Sequence, residues 1–371
     1  MIGVLVFIAT LLVLVLVHEF GHFAAARLFG VGVEEFGFGF PPAIIKKKFG
    51  QTIYSFNWIP LGGFVRIKGE DKIIGEPDSY SSQSPWRRAV IILSGVLMNL
   101  LLVVVLFSIG YTVGLPQELG DTPPTGARVR NISHHIAAVM PASPADGVLK
   151  AGDVIVSIDE KKFQTLADLQ SYIRAHREAE LNLAIDRDSE LYTVSIQPAL
   201  LKVEDGEVYG VGVSLFTTGV ISYPVYRAPL AAAQLTAKLF GIIAVTLGEL
   251  VAGLFRGAPV PVDIAGPVGI ALITTQVVGL GWIFILQFVA VLSLNLAFIN
   301  LLPFPALDGG RLLFIIIEII RRRPVSEELE GRVHRWGFTV LIILVMVVTY
   351  FDLRRLGGVF DGLWDRLREI L

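Results

Sequence analysis

Four stretches of the chain are apolar for long enough to cross a bilayer, which takes about 20 helical residues. They are residues 2–26, 89–112, a third inside the uncharged run 264–307, centred on 282–302, and 336–351. The last is short, and Arg335 and Arg354 at its ends are long enough to snorkel to the interface. A further stretch, 228–255, is apolar but holds Lys238 and Glu249. It reads as an amphipathic helix lying on or against the membrane rather than as a span.

Between the first two apolar stretches the pattern turns from helix to strand. "VEEFGFGFPPAIIKKKFG" and "QTIYSFNWIPLGGFVRIKGED" are rich in aromatic and β-branched residues and carry Pro-Pro and Gly-Gly turn signals. They read as two hairpins. The second is too apolar for an ordinary aqueous loop, and such backbone is tolerated at membrane depth only where it packs on protein or lines a wet cavity.

Residues 125–198 instead have the pattern of one compact α/β domain. It has a short helix after Ser143, a Gly-Asp turn, the alternating strand of "GDVIVSID", a helix over 165–175 and a hairpin turning at 186–189. No second copy of this pattern occurs in the chain.

The fold expected is a multi-pass α-helical membrane protein with about four transmembrane helices, membrane-associated β-hairpins and an inserted extracytoplasmic α/β domain. The first transmembrane helix takes 1–28, the cytoplasmic or re-entrant hairpins 29–88 and the second helix 89–115. The α/β domain and its flanks take 116–215, and the amphipathic region 216–263. The third transmembrane region takes 264–320, a basic cytoplasmic loop 321–335, the fourth helix 336–353 and a tail 354–371.

Composition agrees with this pattern. The chain is 53% hydrophobic and 17% charged, against about a quarter charged in soluble domains. A net charge of -2 gives no global signal for nucleic acid. The absence of cysteine removes disulfides, Cys-ligated zinc, iron–sulfur clusters and thiol nucleophiles. The N-terminus has no basic n-region and no small-x-small cleavage site, so its apolar stretch is expected to be a retained helix.

Basic residues set the orientation expected. Lys46, Lys47, Lys48, Arg66, Lys68, Arg87 and Arg88 lie between spans one and two, and Arg321, Arg322, Arg323, Arg332 and Arg335 between spans three and four. Both segments should be cytoplasmic, with the α/β domain and both termini outside. Arg354, Arg355, Arg366 and Arg368 in the tail pull against the last point.

Candidate chemistry sits where the first apolar run ends, in "VLVHEFGH". His18 and His22 are about one helical turn apart, so both imidazoles face one way. A catalytic zinc needs two such ligands, a third protein ligand and an open position for water. Glu19 is placed to take a proton from that water. An ordinary polar patch at a helix end is the plainer reading. Ionisable residues in a membrane span are costly and usually functional, which favours the metal.

Of the other histidines, His134, His135 and His176 fall in the α/β domain and His334 in a basic segment. Asp308, closing the uncharged run in "NLLPFPALDGG", is the better third ligand. Pro303 and Pro305 break the helix before it, and a broken helix at membrane depth can present polar groups to a buried site.

"HEFGH", "NLLPFPALDGG" and the stretches "GFGFPP", "IPLGGFVRIKGED", "SGVLMNL" and "AGPVGIA" together resemble the site-2 protease family of intramembrane zinc metalloproteases, in its bacterial regulator-of-sigma-E protease branch. The insert, with Ser143-Pro-Ala and "AGDVIVSID", resembles a bacterial PDZ domain; some members of the branch carry two, and this chain has room for one.

The resemblance implies that His18, His22 and Asp308 bind Zn2+ and that Glu19 is the catalytic base. It implies that Asn300, with Pro303 and Pro305 in its motif, positions substrate or transition state. Asn99 reads as packing within the second span.

Implied substrates are transmembrane segments of single-span proteins, such as anti-sigma factors already trimmed by an upstream site-1 protease, and remnant signal peptides. The implied place is the bacterial inner membrane. A transmembrane substrate must unwind before its peptide bonds can be attacked, and an edge strand can hold it extended. The strand of Ile53, Tyr54, Ser55 and Phe56 is the expected edge. Two alternatives remain: a PDZ-bearing scaffold or chaperone with structural zinc, closed by a fourth ligand, and an ion or metal transporter, which often shows internal repeats.

Overall fold

A computed structural model describes residues 2–70, 72, 74–120, 124–187, 190–203, 206–257 and 265–370, with backbone alone at 61, 203, 254, 327 and 356–370. The chain divides into two compact units. One comprises Met1–Phe107 with Pro229–Leu371, the other Ser108–Ala228.

In the first unit, helix α1 (Ile2–Leu28) buries one stripe: Thr10, Leu14, His18, Gly21, His22 and Ala25. The spacing of three to four residues is that of one helix face. Both histidines therefore lie on the inward side, while Leu5, Val13 and Phe20 point outward. Helix α2 (Pro85–Val113) starts on a proline, which suits a first helical position. It packs so closely on α1 that a Cβ at Gly21 would collide with the Ser94 carbonyl.

Strands β1 (Val33–Phe49) and β2 (Thr52–Ile67) join these helices. They form one long pair turning at Gly50, not the two successive hairpins expected. Each strand bends midway, β1 near Pro41-Pro42 and β2 near Pro60. Phe36 then has Val65 on one side and Tyr54 on the other, and Tyr54 also pairs with Lys47. The segments lie in the order 63–67, 33–38, 53–56, 43–49. Ile53, Tyr54, Ser55 and Phe56 are thus interior, with backbone partners on both sides. They cannot be the free edge assigned to them. Alternation predicted the strands but not their order, because two proline-broken strands can fold back on one another in more than one way.

Helices α3 (Leu166–Ala175) and α4 (Ala228–Phe255) come later in the chain, α3 in the second unit. Helix α4 is continuous past Lys238 and Glu249. Helices α5 (Pro267–Leu280) and α6 (Trp282–Leu301) are separated by Gly281, whose φ of 108° is one that only glycine adopts readily. Helix α7 (Asp308–Arg321) follows the break at 302–307, and α8 spans Glu327–Ile370.

Among the described residues five helices are long and apolar enough to cross a membrane: Ile2–Leu28, Pro85–Val113, Ala228–Gly253, Trp282–Leu301 and Glu328–Arg355. Four of these coincide with the spans expected; the fifth, Ala228–Gly253, is the stretch read as interfacial, whose two charges spread over 26 residues leave its mean hydropathy high. A core of Ala25, Ala26, Val31, Val33, Ile67, Ile91, Ile92 and Ile315 joins α1, the sheet, α2 and α7.

The second unit carries a six-stranded antiparallel sheet. Its strands are β3 (Leu115–Leu119), β4 (Arg128–Val139), β5 (Val154–Ile158), β6 (Leu181–Arg187), β7 (Glu190–Ile196) and β10 (Val213–Ser222), in the order β3-β10-β4-β5-β6-β7. A separate hairpin pairs β8 (Ala199–Val203) with β9 (Gly206–Gly210). Leu169 and Ile173 of α3 enter a core with Ile136, Ile155, Ile158, Leu181, Leu183 and Ile185.

The compact unit is wider than the domain read from sequence, because β3 and β10 close one side of the sheet from outside 125–198. The segment after Ser143 forms turns rather than the short helix expected. Part of the turn expected at 186–189 lies outside the described residues.

Candidate metal centre

Helix geometry brings His18 and His22 together on the buried stripe of α1, with the two Nε2 atoms 3.2 Å apart. The chain supplies Asp308 from far along its length. After α6 ends, Pro303 and Pro305 prevent helix from continuing, and Ala306 takes a left-handed conformation at φ 77°. His334 of α8 secures that turn: its Nδ1 accepts the Ala306 N–H at 2.9 Å. Two glycines follow because there is no room for side chains. A Cβ at Gly309 would strike the carbonyls of Leu301 and Leu302, and one at Gly310 the carbonyl of Phe304. Asp308 then starts α7 with Oδ2 3.0 Å from His18 Nε2 and 3.3 Å from His22 Nε2.

The donor set fits a metal ion. His22 Nδ1 lies 2.8 Å from the Ile91 carbonyl, which can only accept, so Nδ1 carries the proton and Nε2 presents a lone pair. That lone pair faces a carboxylate oxygen, an arrangement that repels unless a cation lies between them. One ligand atom from each of His18, His22 and Asp308 lies within 4.8 Å of the others. Among the described residues this is the one group of metal-binding type found. Two imidazoles and a carboxylate, with no fourth protein donor among the described residues, match a catalytic zinc site that keeps a position open.

Glu19 lies beside the cluster, and its Oε2 accepts the Val65 N–H at 3.0 Å. Segment 63–67 is the edge of the sheet, so the edge strand passes directly alongside Glu19. Both line a cleft of about 740 Å³ with His22, Asp308, Arg311 and His334. Arg311, one turn beyond Asp308, is ion-paired with Glu70.

Asn300 Nδ2 is 3.4 Å from His18 Nε2. Pro303 and Pro305 do not line the cleft; a Cβ at Gly337 of α8 would collide with Pro305.

The sequence reading missed three contributions. Helix α2 places Ile91, Gly95 and Asn99 against the two histidines. A Cβ at Gly95 would collide with the His22 ring and come within 2.7 Å of His18 Cε1. Asn99, read as packing, is fully buried with its amide 3.4 Å from His18 Nδ1. The spacing of 91, 95 and 99 sets them on one helix face but does not tell packing from contact with a ligand.

The sequence profile of peptidase family M50 matches residues 6–344. The chain is 30% identical to the regulator of sigma-W protease RasP of Bacillus subtilis, over 95% of this chain and 98% of that protein. It is also 30% identical to the zinc metalloprotease RasP of Bacillus licheniformis, over 95% of this chain and 99% of that one. Among solved structures, a PDZ domain of the SdrC-like protein of Listeria innocua is similar over 22% of this chain and 92% of its own, at 23% identity and a TM-score of 0.21.

Proposed function

We infer the course of the reaction from one premise: the chain belongs to peptidase family M50 and is an intramembrane zinc metalloprotease of the site-2 type. The observation that carries the inference is the meeting of two histidines, on a helix apolar enough to span the bilayer, with an aspartate from α7, next to a glutamate held at a sheet edge. His18, His22 and Asp308 would hold the zinc. When bound, zinc supplies Lewis acidity, which makes a water acidic enough to attack near neutral pH and polarises a carbonyl.

Glu19 takes the proton of the attacking water and returns it to the leaving amine. The Val65 N–H holds Glu19 Oε2, leaving Oε1 free for this transfer. Asn300 offers an N–H donor at the rim of the cluster, where charge develops on the substrate oxygen. Pro303 and Pro305 act indirectly, by keeping the chain broken so that Asp308 reaches the site.

Substrates are membrane proteins. An unwound transmembrane segment would be held extended by strand addition at 63–67, whose outer side has no strand partner among the described residues and which runs past Glu19. By the distribution of basic residues, the inserted α/β unit lies outside a bacterial inner membrane and the sheet inside. Single-span substrates pre-trimmed by an upstream protease fit this arrangement, since a short outer stub can enter the site laterally. A scaffold with structural zinc would need a fourth protein ligand, and the cluster has three among the described residues.

The test uses the purified chain in liposomes with a single-span substrate lacking its outer domain, comparing wild type with Glu19→Gln. A cut inside the apolar segment by the wild type alone, with zinc retained by both, is expected. Equal cleavage by both proteins would remove Glu19 from the reaction.

A further inference from the structure

We propose that Asn99 is a positioning residue for His18: its buried amide oxygen accepts the Nδ1 proton and so keeps Nε2 turned toward the metal. This role rests on the zinc site proposed above.

Each histidine ligand has a second nitrogen that must be accounted for. A neutral imidazole has one donor and one acceptor, so a ring giving Nε2 to a metal carries its proton on Nδ1. For His22 the partner is the Ile91 carbonyl at 2.8 Å. For His18 the group opposite Nδ1 is the Asn99 amide, whose Nδ2 lies 3.4 Å away. The residue is 0% exposed, and its Oδ1 is buried with no hydrogen-bond partner.

A buried amide oxygen left without a donor is costly, and so is a buried ring N–H left without an acceptor. Here the two needs are complementary. The ends of an amide are nearly isosteric, and a half-turn about its terminal bond sets Oδ1 on the His18 Nδ1–H.

The geometry of α2 supports the pairing. Ile91, Gly95 and Asn99 follow one another at four-residue intervals on one face. Helical side chains lean toward the N-terminus, so Asn99 covers the level of Gly95, where the missing Cβ admits both rings. One face of one helix thus anchors both ligands, His22 through a backbone carbonyl and His18 through a side chain. Only the second anchor can be removed by substitution. Asn99 is also tied to α6, since Ser293 Oγ donates to its backbone carbonyl at 3.0 Å. That bond provides a control, because its loss disturbs packing around Asn99 and leaves the amide in place.

The experiment measures zinc affinity by competition with a chromophoric chelator, in detergent, on full-length protein. It compares wild type, Asn99→Leu, Asn99→Asp, Ser293→Ala and His18→Ala, and records the visible spectrum of each cobalt(II)-loaded form. Asn99→Leu is expected to weaken zinc binding about 10- to 100-fold and to shift the cobalt bands. Asn99→Asp, which keeps an acceptor oxygen, should restore affinity to within a few-fold, and Ser293→Ala should match wild type. Should the leucine variant not fold, Asn99→Ala carries the same expectation.

Wild-type affinity and spectrum in Asn99→Leu would overturn the role of Asn99 while leaving the zinc site intact. Equal weakening in Asn99→Asp and Asn99→Leu would reduce Asn99 to packing. Zinc bound equally by wild type and His18→Ala would overturn the site itself, and the role with it.

Discussion

In the inserted unit the fully buried residues include Ile158, Leu169, Leu181, Leu183 and Ile185. In the membrane unit His18, His22, Asn57, Asn99 and Ser293 are more buried than most of its leucines, while Leu5, Val13, Phe20 and Leu101 stand exposed. One unit turns apolar surface away from water; the other turns it toward lipid and keeps its polar groups for the inside. Apolar burial does not set the interior of a membrane helix apart, since lipid serves equally well. Small residues and polar groups decide which face meets another helix. The face of α1 that carries His18, Gly21 and His22 is such a face, and the site follows from it.

The largest effect expected is on this polar interior. Asp308→Ala removes one of three ligands, and zinc content should fall to background. Cleavage of a single-span substrate should fall by at least about a thousandfold, since several kcal/mol of charge stabilisation leave with the metal. The melting profile of the inserted unit should not move. Full zinc occupancy in this variant, by mass spectrometry of the metal, would remove Asp308 from the site.

Leu183→Ala tests the other side of the comparison. Truncating a fully buried leucine costs about 2–5 kcal/mol in a packed core. The inserted unit should become protease-sensitive at temperatures where wild type resists, with zinc stoichiometry unchanged. Loss of zinc along with the inserted unit would show that the two interiors are not energetically separate.

How far the chain revealed these two interiors differs for the same reason. Strands β5 and β6 and helix α3 were readable because alternation and helical spacing mark a face buried from water. His18, Glu19 and His22 were readable because charge and imidazole stand out against an apolar run, and Asp308 because two prolines and two glycines frame it. Asn99 was not readable, since a single amide in an apolar helix has the same appearance whether it packs or orients a ligand. Nor was the order of the sheet segments. The pattern of 52–67 announces strand, but the bends at Pro41-Pro42 and Pro60 decide that 53–56 is interior and 63–67 is the edge beside Glu19.

In the inserted unit a buried carboxylate is held by an arginine. Asp153 is 1% exposed and receives Arg187 Nε at 2.7 Å and Nη2 at 2.6 Å. These bonds hold its carboxyl below the usual carboxylate range. With the folded value depressed, the stabilisation is complete above the unfolded value of about 3.9 and is lost as pH falls through the folded one. Asp153→Asn should cost about 1.5–3 kcal/mol at neutral pH. It should also flatten the acid limb of the unit's stability curve, followed by circular dichroism. An unchanged acid limb would show that Asp153 is not the group responsible.

Helix starts sharpen the contrast most finely. Helix α5 begins on the N–H groups of Gly266 and Gly269, which donate to Asp352 of α8 at 3.2 and 2.8 Å. Helix α3 begins on Thr165, whose Oγ1 accepts the Asp168 N–H at 3.1 Å. The first cap comes from more than eighty residues away and is 5% exposed; the second is local and wet. Asp352→Ala would leave buried donors without a partner and should cost about 1–3 kcal/mol, with α5 and α8 loosened together. Thr165→Ala should cost only about 1 kcal/mol, because water replaces part of what the hydroxyl gives. Hydrogen exchange at the first turns of α5 and α3 reads both directly. Should the two substitutions loosen their helices equally, burial would not be what separates the two caps.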